Sequence, residues 1–220
     1  MRNAYDRQLH QLHDALRDMG TMCQNAVVLA IRAVTEGENG LIDSVREIDS
    51  GIDKQEREIE DMCLKLLLQQ QPVASDLRAI SAALKMISDL ERIGDQAADI
   101  AEIAQFTGKM KDKLSEDLRT MASATMKMVN DSIDAFVRQD LVLAKKVIAA
   151  DDVVDDWFVC IKEELVTAIA ANHAQGGRYL DLLMVAKYLE RIGDHATNVA
   201  EWVEYSILGR RSKNGVMIQN

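Results

Sequence analysis

Four acidic pairs in this 220-residue chain share one spacing, a carboxylate followed four places later by another. They are Asp49 with Asp53, Glu91 with Asp95, Asp151 with Asp155 and Glu190 with Asp194. On an α-helix, residues four apart lie on the same face one turn along, so each pair is a two-carboxylate clamp. Such a clamp can pair with arginine or lysine, or it can ligate a hard cation through oxygen alone: Mg2+, Mn2+, Ca2+ or ferric iron. Carboxylates gathered in one place cannot all stay ionised without cations of one kind or the other.

The clamps belong to a repeat. Leu90-Glu91-Arg92-Ile93-Gly94-Asp95 recurs letter for letter as Leu189-Glu190-Arg191-Ile192-Gly193-Asp194, 99 positions later. Ala97, Ala101 and Glu102 continue the match as Ala196, Ala200 and Glu201. The other two clamps correspond at an offset of 102, with Val45 on Val147 and Ile52 on Val154. Self-similarity at a nearly fixed period means two related halves in one chain.

The elements that carry the clamps follow from apolar periodicity. Leu9, Leu12, Leu16, Met19, Cys23, Ala26, Ala30 and Ala33 alternate by three and four, the signature of a helix packed lengthwise on neighbours. Gly37 to Gly40 breaks it, and a second helix carries Leu41, Val45, Ile48, Ile52, Ile59, Met62 and Leu66. Gln69-Gln70-Gln71-Pro72 ends that helix, because proline has no donor and disfavours helix in the residue before it. The third helix runs from Leu77 to about Phe106. The second half repeats the plan, with Asn172 to Gly177 as its second turn and a last helix reaching about Ile207. The expected fold is all-α: two antiparallel three-helix bundles, residues 1–107 and 108–208, followed by a flexible tail, 209–220. A pseudo-twofold and an end-to-end stack of the bundles are equally compatible with the pattern.

Composition narrows the function. The chain has one proline and few aromatics, which favours helices over strands. Its formal charge is -10, the wrong sign for a nucleic-acid binder. Cys23, Cys63 and Cys160 are too few and too scattered for a disulfide framework, and Cys23 falls on the apolar seam as a buried thiol. Without a leader-like or membrane-length apolar run, the chain reads as cytoplasmic.

Extending the seam of the third helix by the same rule gives Leu84, Ile87, Glu91, Gly94, Ala98 and Ala101, so a carboxylate occupies an apolar position. The last helix does the same with Leu183, Ala186, Glu190, Gly193, Thr197 and Ala200. Burying an unpaired charge costs several kcal/mol, so each Glu needs a cationic partner or an opening to water. Each glycine costs about 1 kcal/mol relative to alanine inside a helix, which close approach of a neighbouring helix would explain. Counting from Gln71, Asp53 and Asp49 lie 18 and 22 residues before the turn, and Glu91 and Asp95 lie 20 and 24 after it. At about 1.5 Å rise per residue both clamps sit roughly 30 Å from the turn, side by side. The same count around residue 173 brings Asp151, Asp155, Glu190 and Asp194 to one height within about one helical turn. Arg92 and Arg191 are either ion-pair partners of the clamps or contacts for a partner.

Both Leu-Glu-Arg-Ile-Gly-Asp segments, Pro72-Val73-Ala74-Ser75-Asp76-Leu77-Arg78 and Asp151-Asp152-Val153-Val154-Asp155 make the chain resemble the PhoU family, over nearly its whole length except the tail. The resemblance implies two three-helix bundles with pseudo-twofold symmetry. It also implies multinuclear metal sites on Asp49, Asp53, Glu91, Asp95, Asp151, Asp155, Glu190 and Asp194, with iron the leading ion and manganese, magnesium or zinc the alternatives. The implied role is a negative regulator of phosphate uptake and phosphate-starvation signalling. Its implied partners are the ATPase subunit of a phosphate ABC transporter and a sensor histidine kinase, so that it would sit peripherally at the membrane through them; a homodimer is compatible. Asp99 is matched by Asn198, so the two sites are expected to differ in metal number, and Gly176-Gly177 stands where the first half has Leu77-Arg78.

Three rivals make different demands. A ferritin-type carboxylate-bridged oxidase wants Glu-x-x-His on bundle helices, and His10, His13, His173 and His195 supply none. A carboxylate-metal phosphohydrolase would activate water on clustered metals, but the chain shows no glycine-rich phosphate loop and no Ser/His/Asp arrangement. A purely structural helical bundle predicts no bound metal and near-neutral replacement of Glu91. The expectation is an adaptor without enzymatic activity.

Overall fold

A computed structural model of the chain describes residues 2–69, 73–110, 113–210, 212–213 and 216–217. Within them lie six long helices: α1 (Arg2–Glu36), α2 (Leu41–Gln69), α3 (Ala74–Thr107), α4 (Lys113–Arg138), α5 (Leu141–Ala171) and α6 (Gly176–Leu208). The ends are set by local chemistry. Gly37 and Gly108 take φ of 69° and 62°, the left-handed region where a side chain is strained, and so close α1 and α3. The Asp140 carboxylate accepts from the Val142 and Leu143 amides at 2.9 and 3.0 Å, an N-cap for α5. A 3-10 turn at His173–Gln175 leads directly into α6, so Gly176 and Gly177 form its first turn and not the linker expected for them.

α1, α2 and α3 pack on one another, as do α4, α5 and α6. The two groups lie side by side: α3 packs on α6 and α1 on α4, while α2 and α5 stay on the outside. An end-to-end stack is excluded. α3 and α6 run antiparallel, because Asp89 reaches Asn198 whereas Asp99 takes a hydrogen bond from Tyr188. Those two contacts are the same contact in duplicate, since Asp89 precedes Tyr188 by 99 residues and Asp99 precedes Asn198 by 99. A pseudo-twofold therefore relates the halves.

The outer helices bury narrow seams that correspond residue for residue. Val45, Ile52, Ile59 and Cys63 of α2 match Val147, Val154, Ile161 and Leu165 of α5 in that order, every one buried and every match at the offset of 102. The α1 seam is buried as expected from Leu12 to Ala33, and the Cys23 thiol donates to the Leu90 carbonyl at 3.3 Å. Burial pushes the Cys23 thiol up to about 12, so it remains protonated. The central helices differ from expectation. α3 touches three helices and buries a wider arc: Ile80, Ala83, Met86, Ile87, Leu90, Ile93, Gly94 and Ala97. Of the seam read through this helix, Ile80, Ile87, Gly94 and Ala101 are buried, whereas Leu77 is 47% exposed and Leu84, Glu91 and Ala98 lie only half-buried along its edge. Glu91 and Glu190 thus sit on the margin of the core, where α2 or α5 meets the central helix.

Beyond α6, Ser212–Lys213 (β1) and Val216–Met217 (β2) pair antiparallel. The remainder of the tail, residues 211, 214–215 and 218–220, lies outside the described residues, as do Gln70, Gln71 and Pro72.

Candidate metal centre

The two motif glycines show how closely the helices approach. A Cβ on Gly94 would lie 2.7 Å from Asp49 Oδ1 and 3.0 Å from Ile52 Cδ1. A Cβ on Gly193 would lie 3.3 Å from Val154 Cγ1 and 3.5 Å from Asp151 Oδ1. At Gly94 a side chain would collide with the Asp of the neighbouring helix, while at Gly193 it would crowd Val154 and meet Asp151 at ordinary contact distance. The level arrangement expected from residue counting is therefore present in both halves.

Electrostatics report the same gathering. Burial raises Asp49 from 3.8 to about 6, and Asp95, Asp53 and Asp99 add to it. In the second half burial raises Asp151 to about 6, followed by the charges of Asp194 and Asp155, with the Thr197 hydroxyl opposing. Glu91 is raised by burial and then by Asp95, against Arg92. Asp155 is raised by burial and Glu190, and Asp194 by burial, Glu190 and Asp155, with Lys187 opposing in both. All eight clamp carboxylates thus converge as two groups of four, one per bundle.

Protein cations reach each group from its edge. Arg92 Nε lies 3.4 Å from Glu91 Oε2 and its Nη1 2.8 Å from Asp95 Oδ2, which makes Arg92 an ion-pair partner of the first clamp. Arg191 behaves differently, its field falling on Asp99 across the α3–α6 interface and on Tyr188 of its own helix. Lys187 bonds Glu190 instead. The interior is less well served: Asp49 Oδ1 is buried with no hydrogen-bond partner. An oxygen-only donor set with a buried, unpartnered carboxylate oxygen fits a hard cation. Among the described residues no group of three or more His, Cys, Asp and Glu side chains is closed into a metal-holding cluster.

Two members of these groups escaped the clamp pattern. Glu56 adds to the first, three residues after Asp53 on the same face of α2. Lys187 adds to the second, three residues before Glu190. Aligning the halves at both offsets, with Glu56 opposite Phe158 and Ser88 opposite Lys187, would have exposed them.

The chain matches the PhoU domain twice, over residues 16–104 and 118–203. This chain belongs to the PhoU family. Both PhoU domains coincide with the bundles that hold the carboxylate groups. A relative from Clostridium acetobutylicum, named a phosphate-specific transport system accessory protein PhoU homolog, is 34% identical over 212 residues, 96% of this chain and 97% of that protein. Another from Pseudomonas aeruginosa with the same name is 37% identical over 207 residues, covering 93% and 86%. The crystal structure of PhoU from Pseudomonas aeruginosa superposes with a TM-score of 0.85 at 36% identity, over 93% of this chain and 99% of that one.

Proposed function

We propose that this PhoU-family chain is a metal-carrying, non-enzymatic adaptor of a phosphate-specific transport system that holds back phosphate uptake and phosphate-starvation signalling. The observation that carries the reading is the family match over both bundles, together with relatives matched nearly end to end that are named accessory proteins of such a system. The partners in this reading are the transporter's ATPase subunit and a sensor histidine kinase, both met at the cytoplasmic face of the membrane. No helix among the described residues is long and apolar enough to cross a membrane, in keeping with a peripheral position. Asp49, Asp53, Glu91 and Asp95 would hold metal in the first bundle, and Asp151, Asp155, Glu190 and Asp194 in the second. Bound there, a hard cation supplies the positive charge that the gathered carboxylates need. Iron is the leading candidate, with manganese, magnesium or zinc as alternatives.

Deleting the gene should raise phosphate uptake and switch on a phosphate-starvation reporter in phosphate-rich medium, with the wild-type chain restoring both to low levels. A silent reporter in the deletion strain would sink the regulatory reading. Protein purified without chelators or a His-tag should carry more than one iron or manganese per chain, lost when Glu91→Ala and Glu190→Ala are combined. If that variant is metal-free and still represses, the adaptor stands without its metals.

A further inference from the structure

We infer that the second carboxylate group is partly neutralised by a cation built into the chain, the Lys187 ammonium, and that the first group takes metal first and more tightly. The inference rests on the metal-carrying reading above and concerns how the duplicated sites have diverged. Corresponding positions hold opposite chemistry. Lys187 of α6 matches Ser88 of α3 at the offset of 99, and Phe158 of α5 matches Glu56 of α2 at the offset of 102. In the second half Lys187 Nζ bonds Glu190 Oε2 and lies 5.3 Å from the centroid of the Phe158 ring, where a cation–π contact helps to hold it. Its field also reaches Asp155 and Asp194. In the first half Ser88 Oγ donates to Glu56 Oε1 at 3.3 Å, so the same corner holds a further carboxylate and a neutral hydroxyl.

A third difference points the same way. Asp99 faces Asp49 in the first group, whereas its counterpart Asn198 is neutral and gives its amide to Asp89 at 3.2 Å. Each group has a cation at its edge, Arg92 on Glu91 and Asp95 and Lys187 on Glu190, but Arg92 is the more exposed, 61% against 44%, and leaves Asp49 Oδ1 unpartnered within. α5 does add Asp152 and Asp156 where α2 has Ser50 and Lys54; both acids are exposed to water, which weakens their field on Asp151 and Asp155 without removing it. The first group is therefore the less compensated at its interior, where Asp49 Oδ1 has no partner. In the second, an entering cation must first displace or repel Lys187.

The test uses the full-length chain, stripped of metal with chelator and titrated with Mn2+ by calorimetry, with elemental analysis of the dialysed product. Wild type should show a tighter class of sites that disappears in Asp49→Asn and persists in Asp151→Asn. Lys187→Ser should strengthen the weaker class by about tenfold or more, the size by which a charge at this range shifts a neighbouring equilibrium. The pair Ser88→Lys with Glu56→Phe should weaken the tighter class to a similar extent. Circular dichroism and the melting temperature of each variant check that the fold is intact. If wild type binds Mn2+ and Lys187→Ser changes neither class, or if Asp151→Asn abolishes the tighter class, this inference is overturned while the metal reading survives. If no variant and no wild-type sample binds Mn2+, both fall together.

Discussion

Asp49 and Asp151 each face a glycine of the next helix, Asp49 tightly and Asp151 with room to spare. Both are raised from 3.8 to about 6, so the folded chain holds their protons more tightly than the unfolded chain does. The stability associated with them is complete below about pH 4 and is lost as pH rises through about 6. Metal-free wild type should therefore lose stability between about pH 4 and pH 6 more steeply than the double variant Asp49→Asn with Asp151→Asn. Thermal melts across that range read the difference, and saturating Mn2+ should flatten the wild-type slope; parallel slopes would contradict the origin assigned to these shifts. The glycines offer a second test at the same scale. Gly94→Ala drives a Cβ to 2.7 Å from Asp49 Oδ1 and 3.0 Å from Ile52 Cδ1, and should cost about 1 kcal/mol net once overpacking is set against the gain in helix propensity. Gly193→Ala meets its nearest atom at 3.3 Å and should stay within about 0.5 kcal/mol of wild type, since propensity offsets the milder crowding. Urea denaturation distinguishes the two.

Between elements, the α3–α6 interface is where polar contacts decide register. Asp89 Oδ1 accepts from the Asn198 amide and lies 3.0 Å from His195 Nδ1, where the ring can donate its N–H. All three side chains are part-buried, so water replaces lost partners only in part. Asp89→Ala should destabilise the protein by roughly 1–3 kcal/mol, with the same variant in an Asn198→Ala background costing less. If the two losses add fully, the residues are not coupled and the contact is not what holds the register. The outer helices are simpler. The narrow seams of α2 and α5 are what a helix needs when it rests against one side of a bundle, and their other faces remain free to carry charge.

At the scale of the whole molecule, the halves share a face too extensive to expose. α3 and α1 each pack against both bundles, so a chain stopped at residue 110 would leave apolar surface of both open to water. Such a fragment is expected to self-associate or lose helix, whereas the full chain melts as one cooperative unit. Size-exclusion chromatography with circular dichroism of the fragment is the check; a monomeric, fully helical fragment would show that each bundle is stable alone. The same arrangement places the carboxylate groups where the outer helices meet the central ones, one group on each side of the pseudo-twofold.

Local periodicity was enough to read the helices, because apolar residues at three and four, the Gly37–Gly40 break and Pro72 act within a few residues of themselves. Residue counting around the turns was also enough to bring Asp49 level with Asp95 and Asp151 level with Asp194, since helix rise is constant and the connections are short. The sequence alone drew the seam of α3 too narrow, for Ile80 and Ile87 on it are buried but so is Leu90 beside it, because a helix with three neighbours buries an arc wider than one stripe can describe. It also could not say whether Arg92 and Arg191 serve the clamps. One turned to Glu91 and Asp95 and the other to the opposite helix, a choice made by which neighbour each meets in space. Side-by-side packing, the cross-interface contacts of Asp89 and Asp99, and the placing of Lys187 against Phe158 were likewise decided only by tertiary structure, for each joins residues that no local pattern connects.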